Sequence, residues 1–130
     1  MKKAYLLFSF VIVFHMTIVG YVAAETVPYQ VSFISPIQTS PTNFSVKGIR
    51  FSFISAINNN VSGLDIGFFN IAEGNQTGLQ IGFYNSSFKS SGLQIGLINK
   101  TEYLNGLQIG ILNFHREGNF KFLPIVNFSF

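Results

Sequence analysis

Few side chains in this sequence could carry out catalysis or bind a metal ion. His115 is the one histidine outside the amino-terminal segment, Asp65 is the single aspartate, and cysteine is absent. The four glutamates are scattered along the chain, at Glu25, Glu73, Glu102 and Glu117. No acidic residue has the spacing from His115 that is typical of a zinc site or of a nucleophile with its base. The sequence therefore predicts a non-enzymatic protein with no catalytic residue, no metal site and no cofactor.

An eight-residue repeat organises most of the chain. The copies read GLDIGFFN, GLQIGFYN, GLQIGLIN and GLQIGILN, and they begin at Gly63, Gly78, Gly92 and Gly106. A degenerate copy, GIRFSFIS, begins one further step upstream at Gly48. The step between successive copies is thus nearly constant, and a constant step of this kind predicts a repeat architecture.

Within each copy the side chains alternate with a period of two, which is typical of β-strands. Three large apolar positions recur in register, and we expect these fifteen side chains to form the core. The first column is Ile49, Leu64, Leu79, Leu93 and Leu107; the second is Phe51, Ile66, Ile81, Ile95 and Ile109; the third is Phe53, Phe68, Phe83, Leu97 and Ile111. The sequence therefore predicts an all-β protein.

The glycines and amides of the repeat are expected to be structural, because glycine in a strand allows a bend or the close approach of another backbone. These positions are Gly63, Gly67, Asn70, Gly78, Gln80, Gly82, Asn85, Gly92, Gln94, Gly96, Asn99, Gly106, Gln108, Gly110 and Asn113. Arg50 and Asp65 occupy the glutamine position in the first two copies, so stacking would place them together as an ion pair.

Two architectures fit the repeat. In a parallel β-solenoid of about five coils, each of about 14–15 residues and capped by a carboxy-terminal strand, equivalent residues stack, and the recurring asparagines form a ladder. In an antiparallel meander or a small outer-membrane-type β-barrel, the asparagines would alternate between opposite ends. The recurrence favours the solenoid, whereas the alternating aromatic tail that ends at Phe130 is typical of outer-membrane barrels.

The chain divides into four segments that form one folded domain. Residues 1–24 read as a secretory signal peptide, because Lys2 and Lys3 precede an apolar run and small residues precede Glu25. Residues 25–44 are expected to be an irregular lead-in with an edge strand, residues 45–118 the β-repeat domain, and residues 119–130 an aromatic strand. Cleavage would leave a chain with six basic and five acidic side chains, a net charge of +1. Nucleic acid is therefore not a predicted partner.

The strings VSGLDIGFFN, GLQIGFYN, GLQIGLIN and GLQIGILNF, with the closing FLPIVNFSF, resemble a family of bacterial surface-repeat proteins known mainly from leptospires. The resemblance covers residues 36–130, and the closing string is its most specific part. It implies export and a place at the cell surface or outer membrane. It brings no catalytic residues to this chain, and the family has no established function.

The sequence thus predicts an exported structural or interaction module at the bacterial cell surface, with an integral outer-membrane β-barrel-type protein as the alternative. Charged residues make up only 10% of the chain, so we expect self-association, a protein partner or contact with the outer membrane. A fourth apolar column would form either a second buried side or an exposed strip for such contacts. It consists of Ile54, Phe69, Tyr84, Ile98 and Leu112.

Overall fold

The alternating repeats form strands, as the period of two predicts. The computed structural model describes residues 26–130; the predicted signal peptide lies outside the described residues. Within these residues, seven strands form one sheet in the order β2-β1-β3-β4-β5-β6-β7. They are β1 (Thr26–Ile34), β2 (Ile37–Gln38), β3 (Ser45–Asn58), β4 (Val61–Ile81), β5 (Tyr84–Ile95), β6 (Ile98–His115) and β7 (Phe122–Ser129).

Equivalent residues of successive repeats lie side by side in parallel strands. Leu79 pairs with Leu93 and Leu93 with Leu107, and the neighbouring glutamines and glycines follow the same register. The parallel order continues from β1 through β3, β4 and β5 to β6. The parallel β-solenoid is therefore confirmed, and the antiparallel meander and the barrel are excluded. β7 pairs with β6 in the antiparallel sense and covers one side of the last coil.

The lead-in contributes a further coil. Tyr29, Gln30 and Val31 of β1 pair in parallel with Ile49, Arg50 and Phe51 of β3, so the string PYQVSFIS (residues 28–35) takes the place of a repeat. The edge of the sheet on this side is the short β2, which pairs with β1 in the antiparallel sense.

Amide and small side chains fill the interior, and the predicted apolar core is wrong. The recurring glutamines and asparagines are fully buried, whereas Phe53 is 61% and Ile111 62% exposed. A coil as short as one repeat encloses a thin interior, which amides can fill while they pair with the coils on either side. A buried apolar cluster of Val46, Val61 and Ala72 occupies only the amino-terminal coils.

Two columns of glycine let the coils approach one another. Gly92 has a φ of +130°, and a Cβ there would collide with the backbone of Gly78 in the preceding coil. At Gly82 a Cβ would collide with the carbonyl of Gly67 and with the amide of Asn70. The repeated glycines are therefore required by the stacking.

Candidate functional site

A line of buried glutamines runs through the coils of β4, β5 and β6. Gln108 Nε2 donates to Gln94 Oε1, and Gln94 Nε2 donates to Gln80 Oε1, each at 2.8 Å. Gln80 Nε2 in turn donates to Asp65 Oδ2 at 2.8 Å. Because every donor points the same way, the amide dipoles reinforce one another and end at the carboxylate of Asp65.

Arg50 and Asp65 form a buried ion pair at the end of this line. Arg50 Nε and Nη2 donate to the two carboxylate oxygens of Asp65 at 2.7 Å each, and both side chains are 0% exposed. Arg50 Nη1 also donates to Asn58 Oδ1 at 3.1 Å and to the Ile71 carbonyl at 2.9 Å. The register predicted from the repeats thus produces a bidentate, desolvated pair whose role is structural.

Gln30 and Asn58 extend the buried network by one coil, and both were missed in the sequence. Gln30 Nε2 donates to Asn58 Oδ1 at 2.7 Å, and Asn58 Nδ2 donates to Gln30 Oε1 at 2.8 Å. The hydroxyl of Ser40 also donates to Gln30 Oε1. The string PYQVSFIS carries the glutamine and the apolar alternation of the repeat, but its first residue, Pro28, lies more than one regular step before Gly48. This longer step, which contains β2, hid the copy.

The recurring asparagines form a second ladder. Asn85 Nδ2 donates to Asn99 Oδ1, and Asn99 Nδ2 donates to Asn113 Oδ1, both at 2.8 Å. Asn70 Nδ2 donates to Asn85 Oδ1 at 3.0 Å. The same amides also donate to backbone carbonyls, as Asn85 Nδ2 does to Ile95 at 2.9 Å. The recurring amides therefore hold the coils together; Gln108 Oε1, at the end of the glutamine line, is buried without a hydrogen-bond partner among the described residues.

The outside of the solenoid carries a continuous surface of large, mainly apolar side chains, which we call the apolar face. It consists of the second, fourth, sixth and seventh positions of each copy. These run from Tyr29, Val31, Phe33 and Ile34 in the first coil to Leu107, Ile109, Ile111 and Leu112 in the last. The predicted core columns and the fourth column thus form one outer surface.

Ring contacts connect the columns of the apolar face. Phe68 stacks on Phe83 in the next coil with a centroid separation of 5.0 Å and packs edge-on against Phe69 at 5.2 Å. Phe51 and Phe53 make a similar edge contact at 5.2 Å. Contacts thus run along the columns as well as across them, so the face is one surface.

An open groove of about 450 Å³ lies on the apolar face along the column of Gly82, Gly96 and Gly110. Ile95 and Ile109 line one side, and Leu97 and Ile111 line the other. Ile125 of β7 lies at the end of the groove and has a φ of +70°. This conformation is strained for a β-branched side chain.

The exposed charges lie outside the positions of the apolar face, which Lys47 adjoins from two residues before Ile49 in β3. Within the copies of the repeat, from the first residue to the eighth, the only charged side chains are the buried Arg50 and Asp65. The exposed or half-buried charges occupy the intervening segments and the turn after β6. They are Lys47, Glu73, Lys89, Lys100, Glu102, Arg116, Glu117 and Lys121. The solenoid is therefore amphipathic across its coils.

His115, the one candidate for acid–base chemistry, closes the last coil. Its Nε2 accepts a hydrogen bond from the backbone N–H of Leu104 at 3.1 Å, and the side chain is buried. Burial lowers the pKa of His115 below its usual value of 6.5, although the nearby carboxylate of Glu117 acts in the opposite direction. The neutral ring of His115 therefore serves as the hydrogen-bond acceptor for a backbone N–H of the last coil.

We expect the stability contributed by His115 to be lost at acid pH. Its native pKa is lowered, so the unfolded chain binds the proton more readily, and stability rises with pH in this range. The contribution is complete above pH 6.5 and declines as pH falls through the native pKa. Urea unfolding at pH 7.5 and pH 5.5 would measure the loss. His115→Gln should reduce it, and equal losses in both proteins would contradict the assignment.

Among the described residues there is no candidate metal-binding group and no candidate membrane-spanning helix. No group of three or more histidine, cysteine or acidic side chains within residues 26–130 is placed to hold a metal ion. No helix in this part of the chain is long and apolar enough to cross a bilayer. The chain matches no protein-family model, no curated protein and no solved structure.

Proposed function

We propose that the protein is an exported, non-enzymatic scaffold at the bacterial cell surface that acts by contact through its apolar face. The observation that carries this proposal is a continuous, uncharged apolar surface on the outside of a solenoid whose interior is amide-lined. Such a surface is costly in water, which favours a contact function.

The size of the apolar face supports a contact role. The rings of Phe53, Phe68 and Phe83 are 40–61% exposed, which leaves about 300 Å² exposed on these three residues alone. The whole face exposes about 1,000 Å², whereas the largest apolar patch on a typical monomer is about 300–600 Å². The apolar face is thus larger than the largest apolar patch of a typical monomer, and this difference favours an interaction surface.

The reactive side chains form ion pairs and hydrogen bonds within the chain, which supports a non-enzymatic role. Asp65 is held by Arg50, and His115 accepts a backbone hydrogen bond. Glu102 pairs with Arg116 at 3.0 Å. These groups are used to hold coils or turns together, so they are poorly placed to act on a substrate.

Export is supported by the sequence of residues 1–24, with its two lysines, apolar run and small residues before Glu25. The resemblance to bacterial surface-repeat proteins points to the same compartment. Neither depends on the apolar face, so location and contact can be tested separately.

Fractionation of bacteria that express the full chain tests the proposal. We expect the chain in the envelope fraction, shortened by about 24 residues, and open to protease added to intact cells. Phe68→Glu on the apolar face should release it from the envelope. Phe88→Glu is the matched control, because Phe88 is also 50% exposed but lies next to Lys89 in a segment between two copies, outside the apolar face. Cytoplasmic recovery, or equal retention of the two variants, would refute the proposal.

A further inference from the structure

We propose that the partner of the apolar face is a second copy of the same chain, so that two solenoids pack face to face as a symmetric dimer. The inference rests on the proposed contact function and specifies its partner, so that Phe68→Glu should release the chain from the envelope because the dimer is the form that is retained. A two-fold axis brings the same surface of both copies together, so one self-complementary face is sufficient.

The area of the face matches what a stable dimer needs. A standard interface buries about 800 Å² on each partner, and the apolar face exposes about 1,000 Å². Homodimer interfaces are also more apolar than other interfaces, and their centres are rich in aromatic residues and poor in charge. The apolar face, with its contacting rings of Phe51, Phe53, Phe68 and Phe83, has this composition.

The distribution of charge favours a second copy over a lipid surface. Because Arg50 and Asp65 are buried against each other, a face-to-face pair brings no like charges together. A face made for anionic lipid would be expected to have a basic rim. Here the outer charges are of both signs, as the exposed pair of Arg116 with Glu102 illustrates.

The shape of the apolar face, with a groove beside projecting side chains, is suited to packing against a second copy of the chain. The side chains of Leu97 and Ile111 form a ridge beside the groove, which also contains the glycine column of Gly82 and Gly96. In a two-fold pair the ridge of one copy can lie in the groove of the other, with the two sheets about 10 Å apart.

The strain at Ile125 also points to burial by a partner. Ile125 is 72% exposed and has a φ of +70°, where its β-branched side chain is disfavoured. Among residues 26–130, little covers the side chain and offsets this cost. Its place at the end of the groove would let a second copy bury it, and strained residues of this kind cluster at functional sites.

Analytical ultracentrifugation of the full chain, as recovered after expression and with its processing established by mass, tests the dimer. We expect a dimer for the wild type and for Phe88→Glu. In Phe68→Glu, the dissociation constant should rise at least about 30-fold, as for the loss of an interface hot spot. Circular dichroism would show that both variants fold. A monomeric wild type, or equal dissociation constants for the two variants, would overturn the inference.

Chemical cross-linking provides a second measurement that does not require a disruptive variant. The chain has no cysteine, so single cysteines can be introduced by Leu97→Cys on the apolar face and by Phe88→Cys outside it. A bismaleimide that spans about 10 Å, the spacing of packed sheets, should cross-link the first variant into dimers and leave the second largely monomeric. Equal cross-linking of both would overturn the inference.

Vesicles of phosphatidylglycerol and phosphatidylcholine provide the alternative arm. A chain that is monomeric and binds these vesicles through Phe68 would overturn the dimer and assign the face to lipid. In that case the contact function proposed above would stand, because envelope retention would still depend on Phe68. A dimer that is never exported would support the dimer and refute the proposed function at the cell surface.

Discussion

Arg50→Met is expected to lower the free energy of unfolding by about 3–5 kcal/mol. The substitution keeps much of the side-chain volume but leaves the carboxylate of Asp65 fully buried without its bidentate partner. It also removes the hydrogen bonds that Arg50 donates to Asn58 and Ile71. Small domains are stable by only about 5–15 kcal/mol, so the variant should be marginally folded. Urea unfolding followed by circular dichroism would measure the loss.

The double variant Arg50→Gln with Asp65→Gln should recover most of that loss. It replaces the ion pair by the amide that occupies the same column at Gln30, Gln80 and Gln94. Buried ion pairs can often be replaced by neutral, well-packed groups at little cost, so the double variant also keeps the test valid if Arg50→Met does not fold.

The matched control for the charge itself is Arg116→Met. Arg116 and Glu102 are 69% and 28% exposed, and an exposed pair contributes at most about 1 kcal/mol. A loss in Arg50→Met no larger than the loss in Arg116→Met would show that Arg50 and Asp65 are not a desolvated pair.

The repeat step and its register could be predicted from the sequence because they follow from residue identity. Asparagines at the eighth position of four copies and glutamines at the third position of three are required by ladders. In an antiparallel arrangement they would be a coincidence. The structure shows both ladders, Asn85 with Asn99 and Gln80 with Gln94. The stacking of Arg50 on Asp65 follows from the same register.

The side of each strand that faces inward could not be predicted in the same way. A period of two places Leu79 and Ile81 on one side of the strand and Gln80 on the other, but it does not indicate which side faces the interior. The usual preference for apolar interiors selected the wrong set. The deciding factor is the thin interior of a short coil, in which a stacked amide bonds to the coils on both sides. One signal was available, because Arg50 and Asp65 share the glutamine column and a charge that is buried requires such a partner.

The first coil was missed for a different reason. Gln30 and Ser35 occupy the positions of the repeated glutamine and asparagine, but Pro28 replaces the leading glycine. The glycine carbonyl that the next coil approaches is supplied here by the carbonyl of Pro28, which lies against Gly48. Proline could therefore take the leading position of this copy, since within residues 26–130 no coil before β1 pairs with it.

Gly92→Ala is expected to destabilise the solenoid by at least about 3 kcal/mol. At a φ of +130°, alanine would adopt a strained backbone, which alone costs about 1–3 kcal/mol. The new Cβ would also collide with the carbonyl of Gly78, a backbone atom that cannot rotate away. Strands β4 and β5 would have to separate there, and the hydrogen bonds of the amide ladders that join them would be lengthened. Thermal unfolding would measure the loss.

The control is Ser91→Ala, at the preceding residue of the same strand, where a change of one half-buried hydroxyl should alter stability by about 0.5 kcal/mol or less. The contrast between the two variants tests the parallel stack directly. Gly92 meets Gly78 only if each copy of the repeat lies against the same position of the copy before it. If Gly92→Ala were as stable as Ser91→Ala, equivalent glycines would not be in contact, and neither the ladders nor the apolar face built on that register could exist.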